Sequence, residues 1–198
     1  TTATAPVKPR WRGYSHLVAF FASLVGAVCL VSSAHAPLAR ITATVFAAAM
    51  INLFGVSSLY HLPTWSPPAR KFMRRLDHAS IFVVIAAAFA PVCLVALGGE
   101  AGRRLMMLIG VVAIVGIVKS LVWVHAPKWI IAALAIGMGW VGAPFIPEFR
   151  AALDPLTFAL ILGGGLCHTL GALAYAFKRP NPWPRDFGYH EIFHLLVV

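Results

Sequence analysis

The stretch RRLDHASIFVVIAAAFAPVCLVAL, residues 74–97, decides the fold class. From Ala79 to Leu97 it carries no charged residue, and a run of this length approaches the roughly 20 apolar residues of a transmembrane helix. Two arginines, an aspartate and a histidine stand immediately before the apolar run. The stretch therefore predicts a membrane-spanning helix with ionisable side chains gathered at one end.

The composition of the whole chain agrees with this prediction. Of 198 residues, 60% are hydrophobic and only 11% are charged, whereas a water-soluble domain carries about 25% charged residues. This excludes a soluble globular protein. The formal net charge of +10 comes without a basic stripe with interleaved aromatic residues and without a nucleic-acid motif. We therefore expect the membrane as partner and no nucleic acid.

Further apolar runs follow the same pattern, and they are continuous rather than alternating, which favours helices over a barrel. We predict an all-α membrane protein, a seven-helix transmembrane bundle that forms one domain over residues 1–198. The oligomeric state stays open, and we expect the last span to be cut short at Val198. The predicted spans are residues 14–33, 41–61, 79–97, 105–124, 129–146, 155–177 and 189–198.

Positive charge is distributed unequally between the predicted connections. Of sixteen Lys and Arg residues, four fall on one side of the membrane, namely Arg40, Arg103, Arg104 and Arg150, and the others fall on the side of the N-terminus. Cytoplasmic loops are enriched in Lys and Arg. This distribution predicts a cytoplasmic N-terminus in a cell membrane, the inner membrane where there are two.

This topology brings four ionisable residues to the same depth. The second span ends at His61, the third begins just after Asp77, and the seventh carries His190 and His194 in its first turns. Ionisable groups in spans are costly and mark functional sites. His190 and His194 are four residues apart and lie on one helix face, as do Ser57 and His61. These residues are therefore expected to meet at the cytoplasmic end of the bundle.

Three imidazoles in this arrangement suit a divalent metal. His61, His190 and His194 would leave a fourth tetrahedral position for water, which is the pattern of catalytic rather than structural zinc. Asp77 could orient that water or accept its proton, and the Ser57 hydroxyl could reach the water or a bound ligand. Zn²⁺ is the expected cofactor, although another divalent metal would also accept these ligands.

A second reading concerns the run His190-Glu191-Ile192-Phe193-His194, which matches the HExxH pattern of zinc proteases. In those enzymes the glutamate acts as the general base. The pattern is short, and no third ligand follows it within the chain. We favour contact of Glu191 with solvent or an arginine over a catalytic role.

A longer match is carried by Ser57-Ser58-Leu59-Tyr60-His61, Arg74-Arg75-Leu76-Asp77-His78-Ala79, Lys178-Arg179-Pro180 and His190-x-x-x-His194. Together these motifs strongly resemble the hemolysin III family, the bacterial branch of the progestin and adipoQ receptor superfamily. The resemblance implies zinc bound by His61, His190 and His194 near the cytoplasmic surface, with Asp77 and Ser57 touching the water on the zinc. The family pattern ahead of the first span is matched at His16 but not at Pro9 and Arg12.

The expected function is zinc-dependent hydrolysis of a lipid amide or ester at the cytoplasmic surface of the membrane. Similarity of the site layout to receptor members and alkaline ceramidases implies a ceramidase-like lipid amidase, with the lipid substrate or ligand entering from the bilayer. The alternative is a non-enzymatic protein of membrane homeostasis, sensing or haemolytic pore formation with structural zinc. A channel would show a polar stripe through the bundle, and beyond Asn52, His168 and scattered Ser and Thr the sequence offers none.

Overall fold

A computed structural model describes residues 8–198 of the chain, and within them the fold is helical. Short connections join successive helices. The α-helices are α1 Tyr14–Ser33, α2 Pro37–His61, α3 Pro67–Pro91, α4 Gly99–Val122, α5 Lys128–Trp140, α6 Ile146–Ala152, α7 Pro155–Phe177 and α8 Tyr189–Val197. A π-helical segment, Val92–Leu97, continues α3, and a 3-10 turn, Ala143–Phe145, precedes α6.

Six helical segments are long and apolar enough to cross a membrane. The 24 residues of α4 rise about 36 Å, enough for a hydrocarbon core of roughly 30 Å. The nine residues of α8 rise only about 14 Å. Large apolar side chains such as Val18 and Val28, both 70% exposed, cover the outer faces. The protein is a multi-pass, all-α membrane protein, and the count of seven spans stays a prediction.

The helix bounds agree with the predicted spans at several ends and differ at α3. Helices α1 and α7 cover the predicted ranges. Helix α3 begins at Pro67 rather than Ala79, because the basic segment before the apolar run continues as helix behind a proline at its first position. Its charged first turns therefore extend beyond the apolar run. The fifth predicted span is interrupted at Trp140, and α6 continues to Ala152.

A local deviation marks the end of α3. Pro91 has no N–H and starts the wider π-helical turn, in which the amide of Gly98 donates to the carbonyl of Cys93 at 3.0 Å. Gly102 of α4 crosses this carbonyl so closely that a Cβ would lie 1.9 Å from the Cys93 oxygen. The two helices thus meet backbone to backbone.

The interior contains two apolar clusters, and α8 adds further packing contacts. The first cluster joins α3, α4, α5 and α6, and the second joins α1, α2 and α3. Helix α8 packs against α7 and contacts α1. The last helix is thereby placed beside the first. The buried residues of the two clusters are Phe82, Cys93, Leu105, Ile109, Ala113, Met138 and Phe149, and Ala19, Ala49, Leu53, Phe54, Val84 and Ala87.

The chain order brings one set of helix ends together, which we name the basic end. It contains the first residue of α1, α3, α5 and α8 and the last residue of α2, α4 and α7. Most of the lysines and arginines lie here. So do five of the six tryptophans, Trp11, Trp65, Trp123, Trp129 and Trp183, and tryptophan is typical of the membrane–water interface.

Candidate metal site

Three histidines from two distant parts of the chain meet at the basic end. His61 closes α2, while His190 and His194 lie one turn apart near the start of α8. Their ring centroids form a nearly equilateral triangle, with separations of 4.8 Å, 4.9 Å and 4.7 Å. One nitrogen from each ring lies within 4.8 Å of the others. The predicted convergence of these three side chains is confirmed.

The chemistry of the cluster fits a divalent metal. All three histidines are buried, and His194 is only 2% exposed. His61 Nε2, His190 Nδ1 and His194 Nδ1 have no hydrogen-bond partner among residues 8–198. A buried polar atom without a partner is costly, and neutral imidazole is a good ligand for first-row metals. These residues can therefore hold a metal ion.

The two other predicted site residues lie on the neighbouring helices α2 and α3. Ser57 is buried on α2, one turn before His61, and Asp77 lies on α3, which packs against α2. Asp77 is half-buried. The Ser57 hydroxyl is thus on the same helix face as His61, and the Asp77 carboxyl group is on the neighbouring helix. The roles of both groups remain predictions.

A fourth histidine supports the cluster from α1. The rings of His16 and His194 are stacked, with centroids 3.9 Å apart and planes 8° from parallel. His16 also meets the edge of Phe54 at 5.2 Å and is 2% exposed. On the other side, the Tyr175 ring meets His190 at 5.3 Å. The rings of His190 and His194 are therefore held between aromatic side chains of α1 and α7.

Glu191 is engaged away from the histidine triangle. Its Oε1 accepts from Arg12 Nε in an ion pair, and its Oε2 accepts from the Gly188 amide at 2.8 Å. The carboxylate side chain is 3% exposed. Of the two expected contacts of Glu191, with solvent or with an arginine, the structure shows the arginine. This arrangement counts against a general base at Glu191 and hence against the protease reading of HEIFH.

The segment before α1, residues 8–13, ties several parts of the basic end together. Lys8 Nζ donates to the Leu62 carbonyl at 3.1 Å, at the end of α2. The amides of Arg10 and Trp11 donate to the connection before α8 at 3.1 Å. Gly13, with φ +90°, lies against His61, where a Cβ would come within 2.7 Å of the His61 Cβ. The segment closes over the histidine cluster.

Sequence reasoning pointed to the three histidines, Ser57 and Asp77 as candidates, and it noted His16 only as a match to the family pattern. It missed the contact of Gly13 with His61 and did not identify which arginine lies beside Glu191. The signals at Gly13 and His16, a glycine directly before an apolar run and a histidine inside one, do not identify a contact partner. Their significance comes from the contacts of α1 with α2 and α8, which the sequence does not specify.

Comparisons with known proteins agree with this geometry. The family model described as "Haemolysin-III related" matches residues 4–198. "Hemolysin-3" of Bacillus cereus is 29% identical over 168 residues, which are 84% of this chain and 74% of that protein. "Hemolysin-3 homolog" of Bacillus subtilis (strain 168) is 27% identical over 155 residues, 78% of this chain and 70% of that protein.

A plant protein is also similar. "Heptahelical transmembrane protein 4" of Arabidopsis thaliana is 31% identical over 168 residues, 76% of this chain and 43% of that protein. The family model spans nearly the whole chain, including every residue of the histidine triangle. The chain is therefore a member of the haemolysin-III-related family of membrane proteins.

Proposed function

We propose that this protein is a zinc-dependent hydrolase that acts on a lipid amide or ester at the cytoplasmic surface of the membrane. The observation that carries the proposal is the buried triangle of His61, His190 and His194 beside Ser57 and Asp77. Three imidazoles leave a coordination position free, as in catalytic zinc sites. A purely structural site would be expected to have a fourth protein ligand.

The residues of the site have separate roles in this proposal. Zinc held by the three histidines would polarise the substrate carbonyl and would lower the pKa of a water molecule to about 7. Asp77 accepts the proton of the attacking water. Ser57 donates a hydrogen bond to the carbonyl oxygen as negative charge develops on it. In this proposal the lipid enters from the bilayer, and the position of the site at a helix end would place the headgroup linkage at the level of these side chains.

The proposed topology of the protein has seven transmembrane spans and a cytoplasmic N-terminus. The concentration of Lys and Arg at the basic end supports this orientation. The name of the Arabidopsis relative, a heptahelical protein, supports the span count. On this topology the histidine cluster faces the inner leaflet.

Metal analysis tests the first part of the proposal. Protein purified without chelators should contain about one zinc per chain, and His61→Ala and His194→Ala should lose it. His35→Ala and His168→Ala, at exposed histidines, are matched controls that should retain it. Wild-type protein without metal under these conditions would overturn the proposal.

Activity measurements test the second part. With a panel of lipid amides and esters, Asp77→Asn should abolish hydrolysis while zinc stays bound. Glu191→Gln should keep activity in proportion to the fraction of folded protein. Loss only in Glu191→Gln would instead indicate the protease chemistry of HExxH.

A second candidate function, a haemolytic or other non-enzymatic role in the membrane, is favoured by the names of the Bacillus relatives, which refer to haemolysis. In this alternative, zinc stabilises the junction of α2 and α8 in a non-enzymatic membrane protein. Full zinc content in a wild-type protein that hydrolyses none of the lipids tested would favour it. Lysis of erythrocytes by the purified protein would be the direct measurement.

A further inference from the structure

A second site lies next to the histidine cluster, between α2, the start of α3 and the connection after α4. It is a cavity of about 360 Å³. Its polar lining consists of Tyr60, Arg70, Lys71, Arg74 and His125, with Pro67 and Val124 as apolar walls. The lining contains no carboxylate. A cavity with three cationic side chains and no acidic one is built for an anion.

The charges of this cavity are not neutralised by neighbouring acids. Ion pairs among residues 8–198 are Arg10–Asp186, Arg12–Glu191 and Arg104–Glu100, and none of them involves a cavity residue. Asp77 is near enough to Arg74 for the two charges to interact, but it forms no ion pair with a cavity side chain. One carboxylate beside the three cationic side chains leaves the cavity with a net positive charge.

Positive charge also extends behind the cavity wall. Lys119 Nζ is buried without a hydrogen-bond partner among the described residues, and the charge of Arg74 acts on it. Beyond the helices, burial and then the charges of Arg12 and Arg70 lower the pKa of Lys8. Lys119 is thus within range of the Arg74 charge, and Lys8 is within range of the Arg70 charge.

The depth of the cavity relative to the membrane indicates which kind of anion it binds. Trp65 lies between Tyr60 and Pro67 in sequence, and Trp123 precedes Val124 and is 52% exposed. Tryptophans of this kind lie at the headgroup level of a bilayer, where the phosphates of phospholipids are found. Guanidinium groups match phosphate oxygens in paired hydrogen bonds, and basic pockets between transmembrane helices bind anionic headgroups.

We propose that the cavity of Tyr60, Arg70, Lys71, Arg74 and His125 binds the phosphate-bearing headgroup of an anionic phospholipid. The Tyr60 ring lies 4.5 Å from the His61 ring, so a lipid held here has its headgroup one side chain away from the histidine triangle. The binding site stands whether or not the histidine cluster hydrolyses a lipid, and its test needs no activity measurement.

The experiment uses the full chain in detergent and measures retained lipid by native mass spectrometry. Phosphatidylglycerol is compared with phosphatidylcholine of the same acyl chains, and inorganic phosphate is added as a competitor. Wild-type protein should retain phosphatidylglycerol preferentially. The triple variant Arg70→Gln/Lys71→Gln/Arg74→Gln should bind it at least about tenfold more weakly, a difference of about 1.4 kcal/mol.

A control of equal charge removes positive side chains at the same end of the bundle but outside the cavity. Lys178→Gln/Arg179→Gln/Arg185→Gln, at exposed residues, should retain the preference. Equal losses in both triple variants would overturn the proposal, since the attraction would then come from the diffuse charge of the surface. Displacement of the lipid by inorganic phosphate at millimolar concentration would also overturn it, in favour of a site for free phosphate.

Milder variants guard against loss of folding in the triple variant. Arg70→Lys/Arg74→Lys keeps the charge but removes the planar fork of guanidinium donors, and Tyr60→Phe removes only a hydroxyl. Each should weaken phosphatidylglycerol binding several-fold while helix content by circular dichroism stays at the wild-type value. Unchanged binding in both would contradict the assigned cavity.

Discussion

Gly13 lies in direct contact with His61, so the segment before α1 fixes the side chain that α2 contributes to the candidate metal site. There is no space for a side chain between them, since a Cβ on Gly13 would come within 2.7 Å of the His61 Cβ. The φ of Gly13, +90°, is also one that other residues rarely adopt. The position of a candidate ligand therefore depends on a residue that could not itself bind a metal.

Gly13→Ala should lower zinc affinity several-fold, because His61 must shift away from His190 and His194. Competition with a chelator of known affinity measures the change. Gly26→Ala is the matched control, since Gly26 lies on α1 with open space around it, and it should bind zinc as the wild type does. Equal affinity in the two variants at equal folded fraction would show that Gly13 does not position His61.

The stack of His16 on His194 leads to a second prediction. His16→Ala leaves a void beside a metal ligand and should weaken zinc binding, because the His194 ring then loses the face that fixes its orientation. His16→Phe keeps a ring in the stack and should retain most of the affinity. Should His16→Phe lose as much zinc as His16→Ala, a nitrogen of His16 rather than its ring face would be required.

The buried ion pair of Arg12 and Glu191 should contribute strongly to stability. Its side chains are 18% and 3% exposed, and removal of one partner from a buried pair leaves an unpaired charge at a cost of about 3 kcal/mol. Arg12→Gln and Glu191→Gln should each lower the free energy of unfolding in detergent by about this amount. The double variant should lose less than the two single changes together, because no charge is left unpaired.

The exposed pair Arg104–Glu100 on α4 is the matched control for that measurement. Its side chains are 66% and 68% exposed, and pairs of this kind contribute less than about 1 kcal/mol. Glu100→Gln should therefore leave the unfolding transition nearly unchanged. A similar loss at both pairs would mean that burial does not determine the contribution of Arg12 and Glu191.

The crossing of α4 over the π-helical end of α3 can be tested at Gly102. An added methyl group would collide with the Cys93 carbonyl, so Gly102→Ala should lower the free energy of unfolding by about 3 kcal/mol. Gly110→Ala on the same helix has open space and should be neutral or stabilising by up to about 1 kcal/mol. Thermal unfolding followed by circular dichroism compares the two, and equal midpoints would contradict the close crossing.

The sequence predicts the membrane helices because apolar length is a local property. Both ends of α1 and α7 could be read from the limits of their apolar runs. The start of α3 could not, because the basic residues around Arg74 fit a loop as well as a helix, and the proline at the first helical position decides between them. The interruption after Trp140 coincides with Gly142 and Pro144, which break a helix without ending the apolar run.

The convergence of the candidate metal ligands was predictable for a different reason. Spacing places His190 and His194 on one face, and helix direction places His61 at the same depth, so neither step needs tertiary coordinates. For Glu191 the sequence left two contacts open, solvent or an arginine. That the arginine is Arg12, and that Gly13 contacts His61, depends on how α8 docks beside α1, which neither spacing nor charge specifies.

The origin of the three histidines has a consequence for biogenesis. His61 leaves the ribosome with α2, whereas His190 and His194 emerge only after α3 to α7 have been made. Nascent chains that stall before α8 would contain most of the helices and yet lack the histidine triangle. If the triangle binds a metal ion, such prematurely terminated products would be distinguishable from longer ones by their inability to take up the cation.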